Sequence, residues 1–230
     1  NLTVVSNSMK VAIMEMGCTC QVDILPMGTD LSTKFVPDDK KQNPKNIIFV
    51  GRLIAQKGVN YLLDAFRKVL EVHPDATLQI IGHGPELEPL KLQAKDLGIN
   101  KHVIFFGGLS HNDIVTKLQS SSIAVFPYCR NKQYSEEGFG LVLVEALGCD
   151  CAVIASRQPA IIEIIKDNQT GILIDEKDPQ AISQSILKLL NNPEKRNLLA
   201  ENGRTDVLKR FDWAQVGQSY ITLINKCLKE

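Results

Sequence analysis

Two cations and two carboxylates stand out in the sequence because of their apolar and glycine-rich neighbours. Arg52 and Lys57 are five residues apart in GRLIAQKG, a segment bounded by glycines. Glu137 and Glu145 are eight residues apart, and Glu145 falls within the apolar run LVLVEAL. An Arg and a Lys in one loop can hold a multiply charged anion such as a diphosphate, and carboxylates accept hydrogen bonds from paired hydroxyl groups. The four side chains therefore predict a site for a ligand that carries both kinds of group.

Each of these charges also has a purely structural interpretation. Arg52 and Lys57 are then solvated cations beside a turn, and Glu137 is a charge that a helix dipole stabilises. Glu145 does not fit this interpretation, because its neighbours are apolar and an unpaired charge among them is costly. The position of Glu145 therefore favours a ligand-binding role.

Glycines accompany these residues where a backbone would approach a ligand. Gly138 and Gly140 precede the apolar run that begins at Leu141. The backbone amides of Gly140 and Leu141 are predicted to be unpaired donors at a helix N-terminus, which is a ready anion site. Gly82 stands in the short turn GHGP before another helix, and alone it indicates only a turn.

The elements that must position these residues alternate along the chain. Short β-branched runs are followed by segments of helical period, which predicts an α/β fold with a Rossmann-like parallel sheet and helices on both faces. In such a sheet the ligand lies beyond the carboxyl ends of the strands. The predicted strands are Ile47–Val50, Thr77–Ile81, Val103–Phe106, Ile123–Phe126, Cys151–Ala155 and Ile172–Ile174.

The two ends of the chain differ from this pattern. Leu2–Ser6 and Val22–Leu25 are predicted strands around a short helix, and the polar segment PDDKKQNPK (37–45) has the composition of a linker. Ser110 and Asp178 are predicted helix caps, the latter followed by Pro at the first helical position. The chain ends in helical segments.

The composition excludes several classes of protein. The 26 Lys and Arg balance the 26 Asp and Glu, which argues against a basic face that holds nucleic acid. No apolar run approaches the roughly 20 residues needed to span a bilayer. The six cysteines lack the spacing of a zinc knuckle, so we expect reduced cysteines in a cytosolic protein. The absence of an initial Met leads us to expect a piece of a longer chain.

Taken in order, the motifs resemble the nucleotide-sugar-binding C-terminal domain of retaining glycosyltransferases of family 4, which have the GT-B fold. The resemblance covers nearly the whole chain, and its most specific part is the pair Glu137 and Glu145 around Phe139-Gly140-Leu141, with Arg52 and Lys57 upstream. The matching segments are FVGRLIAQKG, LQIIGHGP, HVIFFGGL, FPY, EGFGLVLVEALGC, AVIAS and TGILID.

The resemblance implies a role for each site residue. Arg52 and Lys57 would bind the donor diphosphate and stabilise the leaving group, Glu137 would hold hydroxyls of the transferred sugar, and Glu145 would take the ribose hydroxyls. Arg52, Lys57 and Glu137 are thus the predicted catalytic residues. The predicted donor-binding residues are Gly51, Gly82, Val103, Ile104, Gly138, Phe139, Gly140, Leu141 and Glu145, of which Gly82, Val103 and Ile104 would line the base pocket.

The resemblance also implies a hexosyltransferase that uses a UDP-, GDP- or ADP-sugar, needs no metal or other cofactor, and builds cell-envelope glycan or polysaccharide. Residues 1–38 would be the tail of an N-terminal acceptor domain and its connector, 39–210 the donor domain, and 211–230 a helix that crosses back. The acceptor, a glycan or lipid, would bind the missing domain, so the fragment alone would be inactive. The full protein would be cytoplasmic, with peripheral contact at the inner face of the membrane.

One departure from the family pattern keeps other functions open. The family has two glycines after the fifth strand, where this chain has Gln158-Pro159-Ala160, and Pro159 offers no N–H to a ligand. A nucleotide-sugar-binding or assembly domain without catalysis therefore remains an alternative. GT-B epimerases and phosphorylases are further alternatives.

Overall fold

Six parallel strands form the main sheet in the computed structural model, which describes residues 2–38, 40, 42–130 and 137–228. The sheet has the order β5-β4-β3-β6-β7-β8. Its strands are β3 (Asn43–Val50), β4 (Thr77–Ile81), β5 (Val103–Gly107), β6 (Ser121–Phe126), β7 (Ala152–Ser156) and β8 (Ile172–Ile174). The first helices are α1 (Asn7–Glu15), α2 (Val59–Val72), α3 (Leu87–Asp96), α4 (His111–Gln119) and α5 (Leu141–Gly148). They are followed by α6 (Pro159–Ile164), α7 (Pro179–Asn191), α8 (Pro193–Phe211) and α9 (Trp213–Cys227).

This strand order is that of a doubly wound sheet. From β3 the chain moves outward to β4 and β5, returns to the other side of β3 as β6, and continues outward to β7 and β8. The reversal between β3 and β6 is the topological switch point, where such sheets bind ligands. All six positions of β6 and all five of β7 are buried, as expected for strands that helices cover on both faces. The predicted α/β fold is therefore confirmed.

All of the predicted strands are present, and their ends differ from the prediction by at most two residues except at the start of β3. The structure begins this strand at Asn43, so the last part of the predicted linker 37–45 is wrong. Pro44 suggested a linker, but it lies where the register between β3 and β6 shifts, a place in a sheet that tolerates a residue without an N–H. The Pro44 carbonyl still accepts a hydrogen bond from Ser122 Oγ at 2.7 Å.

The N-terminal segment is a small β-α-β unit beside the main sheet. Its strands β1 (Leu2–Val4) and β2 (Val22–Ile24) pair in parallel around α1. The chain then enters the core of the main body, where Leu31 and Phe35 are fully buried. Asp212, just before α9, accepts hydrogen bonds from the Leu31 N–H and the Ser32 hydroxyl, which ties this connector to the end of the chain.

Both predicted helix caps are confirmed. The Ser110 hydroxyl accepts a hydrogen bond from the Asp113 N–H at the start of α4, and the Asp178 carboxylate does the same for Ala181 at the start of α7. Pro179 occupies the first position of α7, where its missing N–H is not needed.

Among the residues that the structure describes, no helix is both long and apolar enough to cross a membrane.

Candidate functional site

The switch point brings together two loops that are far apart in sequence. The loop after β3 carries Arg52 and a 3-10 turn at Ala55–Lys57, and the loop after β6 leads to Glu137. The Cys129 N–H donates to the Gln56 carbonyl at 2.8 Å. Gly58 fits against the Pro127 carbonyl so closely that an added Cβ would lie 1.9 Å from that oxygen. Contact between the loops is therefore part of the fold.

Lys57 and Glu137 form an ion pair across these loops. The Lys57 ammonium donates to Glu137 Oε2, and their side chains are 10% and 21% exposed. The same ammonium lies 4.0 Å from the centre of the Tyr128 ring, a cation–π geometry. Burial, and then the charge of Glu137, raise the pKa of Tyr128 well above its ordinary value. The structure thus brings two of the three predicted catalytic residues, Lys57 and Glu137, into contact beside the Tyr128 ring.

Gln158 holds the backbone of Glu137. Its side-chain oxygen accepts the Glu137 N–H at 3.1 Å, and Gln158 is almost fully buried. Pro159 is the first residue of α6. At the departure from the family pattern, Gln158 therefore provides an acceptor for the Glu137 backbone and Pro159 begins α6.

Arg52 is exposed at the same edge of the sheet, beside two closely packed glycines. Gly51 donates to the Ile81 carbonyl, and Gly82 donates to the Gly107 carbonyl. Gly82 has φ +140°, and a Cβ there would lie 1.8 Å from the Gly51 oxygen. Only glycine allows this approach, so Gly51 and Gly82 set the distance between the turns after β3 and β4.

The residues before α5 are arranged as the start of a helix. Gly140 has φ +91°, and a Cβ there would lie 2.9 Å from Ile161 Cδ1. Leu141 is the first helical residue, and the first N–H groups of a helix have no partner within it. Phe139 is buried with its ring edge-on to Phe211, and the Gly138 carbonyl accepts a hydrogen bond from Ser6. Ser135 and Glu136, which precede Glu137 in the acidic loop, lie outside the described residues.

Glu145 points toward α4 and the connector. Its Oε1 lies 3.3 Å from His111 Nε2, and His111 Nδ1 lies 3.1 Å from Lys34 Nζ. Since the Lys34 ammonium can only donate, the geometry assigns the imidazole proton to Nε2, which donates to Glu145. Burial raises the pKa of Glu145 above its ordinary value, although the hydrogen bond and charge of His111 and the charge of Lys34 act in the opposite direction.

Val103 and Ile104 lie at the opposite end of the sheet from these loops. They begin β5, about 13 Å and 10 Å from its carboxyl end at Gly107, at a rise of about 3.3 Å per residue. The Val103 side chain is buried in the core, and Ile104 is exposed. Gly108 and His83 stand at the carboxyl edge instead, where the Gly108 N–H donates to His83 Nε2 at 2.8 Å. We therefore do not include Val103 and Ile104 in the site.

Three neighbours of the charged residues did not come from sequence reasoning. Tyr128 stands in the FPY segment, but nothing in that segment indicates that it contacts Lys57. Gln158 was noted only for the glycines it replaces, and His111 follows a helix cap. Tyr128 is 71 positions from Lys57, His111 is 34 from Glu145, and Gln158 is 21 from Glu137. Pairing over such distances is not a local signal.

A cavity of about 380 Å³ adjoins Phe139 and extends to Glu163, Arg210 and Phe211, but Lys57 is not among its lining residues. Its walls come from the N-terminal segment and α6, α8 and α9. In the described part of the chain, no group of three or more His, Cys, Asp and Glu side chains could hold a metal ion.

Comparison with known proteins gives relatives of one kind. A GDP-mannose-dependent alpha-(1-6)-phosphatidylinositol monomannoside mannosyltransferase of Mycolicibacterium smegmatis is 28% identical over 91% of this chain and 57% of its own length. A phosphatidyl-myo-inositol mannosyltransferase of Mycobacterium leprae is 32% identical over 75% of this chain and 44% of its own length. The chain spans about half the length of the curated relatives it matches.

Solved structures agree on the fold. The C-terminal domain of a group 1 glycosyl transferase, LpcC, from Francisella tularensis is 29% identical, with a TM-score of 0.72 over 81% of this chain and 100% of that domain. HepE from Anabaena, in complex with UDP-glucose, is 20% identical, with a TM-score of 0.87 over 97% of this chain and 63% of its own. At that identity the second match shows the fold alone.

A protein-family model also matches the chain. The model of the group 1 glycosyl transferases matches residues 32–206, which is more than half of the chain and includes both loops of the switch point. The chain therefore belongs to the group 1 glycosyltransferases.

Proposed function

We propose that this chain is the donor-binding half of a retaining family 4 glycosyltransferase. The enzyme moves a hexose from a nucleotide-diphosphate sugar to a glycan or lipid acceptor of the cell envelope. The observation that carries the proposal is the Lys57–Glu137 pair at the switch point, beside the N-terminus of α5. A cation, a carboxylate and a helix N-terminus meet there, which are the groups that a diphosphate joined to a sugar requires.

The charges in the two loops suggest how the donor is held. Lys57 is buried and fixed by its contacts with Glu137 and Tyr128, whereas Arg52 is exposed in the same loop. Arg52 closes on the diphosphate, and Lys57 shares its charge between the diphosphate and Glu137. Both cations stabilise the negative charge that grows on the leaving nucleoside diphosphate. Glu137 accepts hydrogen bonds from hydroxyls of the transferred sugar.

The ribose and the base lie toward β4 and β5 in this proposal. Glu145 accepts hydrogen bonds from the ribose hydroxyls. His111 now occupies that position as its partner, and its 55% exposed side chain moves to admit the ribose. The turn at Gly82, with His83 and Gly108, faces the base. The names of four relatives mention GDP-mannose, and one solved structure is a complex with UDP-glucose. With the ADP-sugar that the resemblance adds, the candidate bases are uracil, guanine and adenine. Side-chain cations neutralise the diphosphate, so the proposed site needs no metal.

The acceptor belongs to a second domain in this proposal. α1 and α9 expose apolar side chains, including Val11, Met14, Ile221 and Ile224, which is a surface that a further domain would cover. Residues 1–38 are the tail of that domain with its connector, 39–210 the donor domain, and 211–230 the helix that crosses back. The fragment then binds donor without transferring sugar. The full protein works in the cytoplasm at the inner face of the membrane.

A thermal-shift panel tests the donor site. The chain is heated with UDP, GDP, ADP, dTDP and CMP, and we expect one diphosphate to stabilise it by about 2.7 kcal/mol at 100 times its Kd. Arg52→Ala abolishes most of this shift without lowering the stability of the free chain, because Arg52 is exposed. Arg67→Ala is the control, since Arg67 is also exposed but lies on α2. A shift that survives Arg52→Ala contradicts the proposed diphosphate site.

A transfer assay with the full-length protein tests the reaction. We expect an NMR spectrum in which the product keeps the anomeric configuration of the donor. The replacement of the family glycines by Pro159 and Ala160 is what favours the non-catalytic alternative. A full-length protein that binds the nucleotide sugar and neither transfers it nor converts it to an epimer supports that alternative.

A further inference from the structure

Two Cys-x-Cys pairs of equal spacing have opposite surroundings. Cys18 and Cys20 lie in the turn between α1 and β2, and their sulfur atoms are 3.1 Å apart. Cys20 is exposed and Cys18 is partly exposed. Cys149 and Cys151 lie between α5 and β7, and both are buried. The chain therefore contains its own control for the chemistry of the exposed pair.

The turn that carries the exposed pair is fixed on both sides. Gly17 adopts φ +91° and donates to the Met14 carbonyl, and the Cys18 N–H donates to the Ile13 carbonyl. On the other side, the Gln21 carbonyl accepts the Leu2 N–H and so joins the end of the turn to β1. The two thiols are thus held in contact at the surface by the backbone of the turn.

The buried pair is held differently. Cys151 Sγ lies within hydrogen-bond distance of the Leu118 and Ser121 carbonyls, at 3.3 and 3.4 Å. Burial raises the pKa of Cys149 to about 12, and burial also raises the pKa of Cys151. Both groups stay as thiols, which are poor nucleophiles.

The pKa values of the two exposed thiols shift in different directions. The hydrogen bond between the two sulfur atoms lowers the pKa of Cys18 and raises the pKa of Cys20. One thiol of the pair is thereby favoured as the thiolate, which is the form that attacks disulfides. The second thiol remains beside it, in position to complete the exchange.

We infer that Cys18 and Cys20 are a redox-active dithiol that small-molecule disulfides such as glutathione disulfide oxidise to an intrachain disulfide, while Cys149 and Cys151 stay reduced. The Cys18 thiolate attacks one sulfur of the small disulfide, and the thiolate that leaves takes up the proton that Cys18 lost. Cys20 then attacks Cys18 Sγ, and the second small thiol leaves with the proton of Cys20. Two protein thiols become one disulfide, and one small disulfide becomes two thiols.

Peptide mapping of the whole chain tests this inference. The folded protein is incubated with glutathione disulfide, alkylated, unfolded and digested with trypsin. One tryptic peptide, 11–34, contains Cys18 and Cys20, and another, 133–157, contains Cys149 and Cys151. We expect peptide 11–34 to lose two hydrogen atoms and to take up no label until it is reduced, when it takes up two. We expect peptide 133–157 to keep both thiols and to take up label only in unfolded protein.

Single variants distinguish a dithiol from two independent thiols. Cys18→Ser and Cys20→Ser should each keep one glutathione as a stable mixed disulfide on the remaining cysteine. Cys20→Ser should react with glutathione disulfide faster than Cys18→Ser does, because the serine hydroxyl can still donate a hydrogen bond to the Cys18 sulfur. A wild-type peptide 11–34 that carries glutathione, or that stays reduced, overturns the inference. Equal oxidation of the two tryptic peptides overturns it as well, and equal rates in the two variants overturn the assignment of Cys18 as the attacking thiol.

Discussion

Glu137 and Glu145 belong to one sequence motif, yet their surroundings differ. Glu137 lies in a loop and is neutralised by the ammonium of Lys57, which in turn lies over the Tyr128 ring. Glu145 lies in the second turn of α5 with its side chain 9% exposed, and its partner is the imidazole of His111. The first carboxylate is paired with an ammonium group, and the second has a partner that supplies a hydrogen bond.

This difference separates two tasks within the proposed site. The Lys57 ammonium offsets the negative charge of Glu137, as is needed beside a diphosphate that is itself negatively charged. A desolvated carboxylate with a raised pKa changes its protonation within a pH range that experiments can reach. The two ends of the motif should therefore respond differently to substitution and to pH.

Lys57→Met should produce the largest effect. It removes the cation while keeping an apolar chain against Tyr128, so the diphosphate loses a charge-assisted contact and Glu137 loses its partner. Such contacts contribute about 1.5–3 kcal/mol, so we expect the affinity for the nucleoside diphosphate to fall roughly 10- to 100-fold in calorimetry. Lys101→Met is the control, because Lys101 is exposed before β5 at the far end of the sheet. Equal affinities of the two variants would contradict a role for Lys57 in holding the donor.

Glu145→Gln should have a smaller effect that depends on pH. Because burial raises the pKa of Glu145 above 4.5, the folded chain binds its proton more tightly than the unfolded chain. The free energy of unfolding of the wild type then falls as pH rises through the interval between 4.5 and the raised pKa. The Gln variant lacks this decrease, so its stability relative to wild type should grow with pH in urea titrations.

Nucleotide binding by the Gln variant should weaken relative to wild type as the pH rises. Ribose hydroxyls donate better to a carboxylate than to an amide oxygen, and one such difference is about 1 kcal/mol. We expect Glu145→Gln to weaken nucleotide binding about fivefold above the interval and to have little effect below it. A stabilised variant with unchanged nucleotide affinity at every pH would assign Glu145 to the fold rather than to the ribose.

Local sequence was sufficient for the parts of the fold that depend on local physics. The apolar runs of β6 and β7 and the caps at Ser110 and Asp178 could be assigned because each depends on a few adjacent residues. Pro44 misled the prediction, because a proline is compatible with β3 only where the register to β6 shifts. That shift is a property of two strands rather than of one.

The geometry of the site depends on topology. Lys57 and Glu137 are 80 positions apart, and only the return of the chain from β5 to the other side of β3 brings them together. The roles of Tyr128, Gln158 and His111 could not be predicted, because each depends on a partner from another loop. Val103 and Ile104 show the converse, since the right strand was assigned but its start lies at the far end of the sheet from the switch point.

Gln158→Met should produce the smallest effect, and it tests whether Gln158 positions Glu137. The methionine keeps the volume of Gln158 but leaves the Glu137 N–H without its acceptor, which costs about 1 kcal/mol. If Gln158 only supports the fold, the free energy of unfolding falls and donor binding is unchanged. If it positions Glu137, as the 3.1 Å hydrogen bond from the Glu137 N–H to the Gln158 side-chain oxygen indicates, the affinity for the nucleotide sugar falls two- to threefold. The affinity for the nucleoside diphosphate alone does not fall, since Glu137 contacts the sugar in the proposed site. Gln169→Met, at an exposed position, controls for the substitution itself, and calorimetry with both ligands distinguishes the two outcomes.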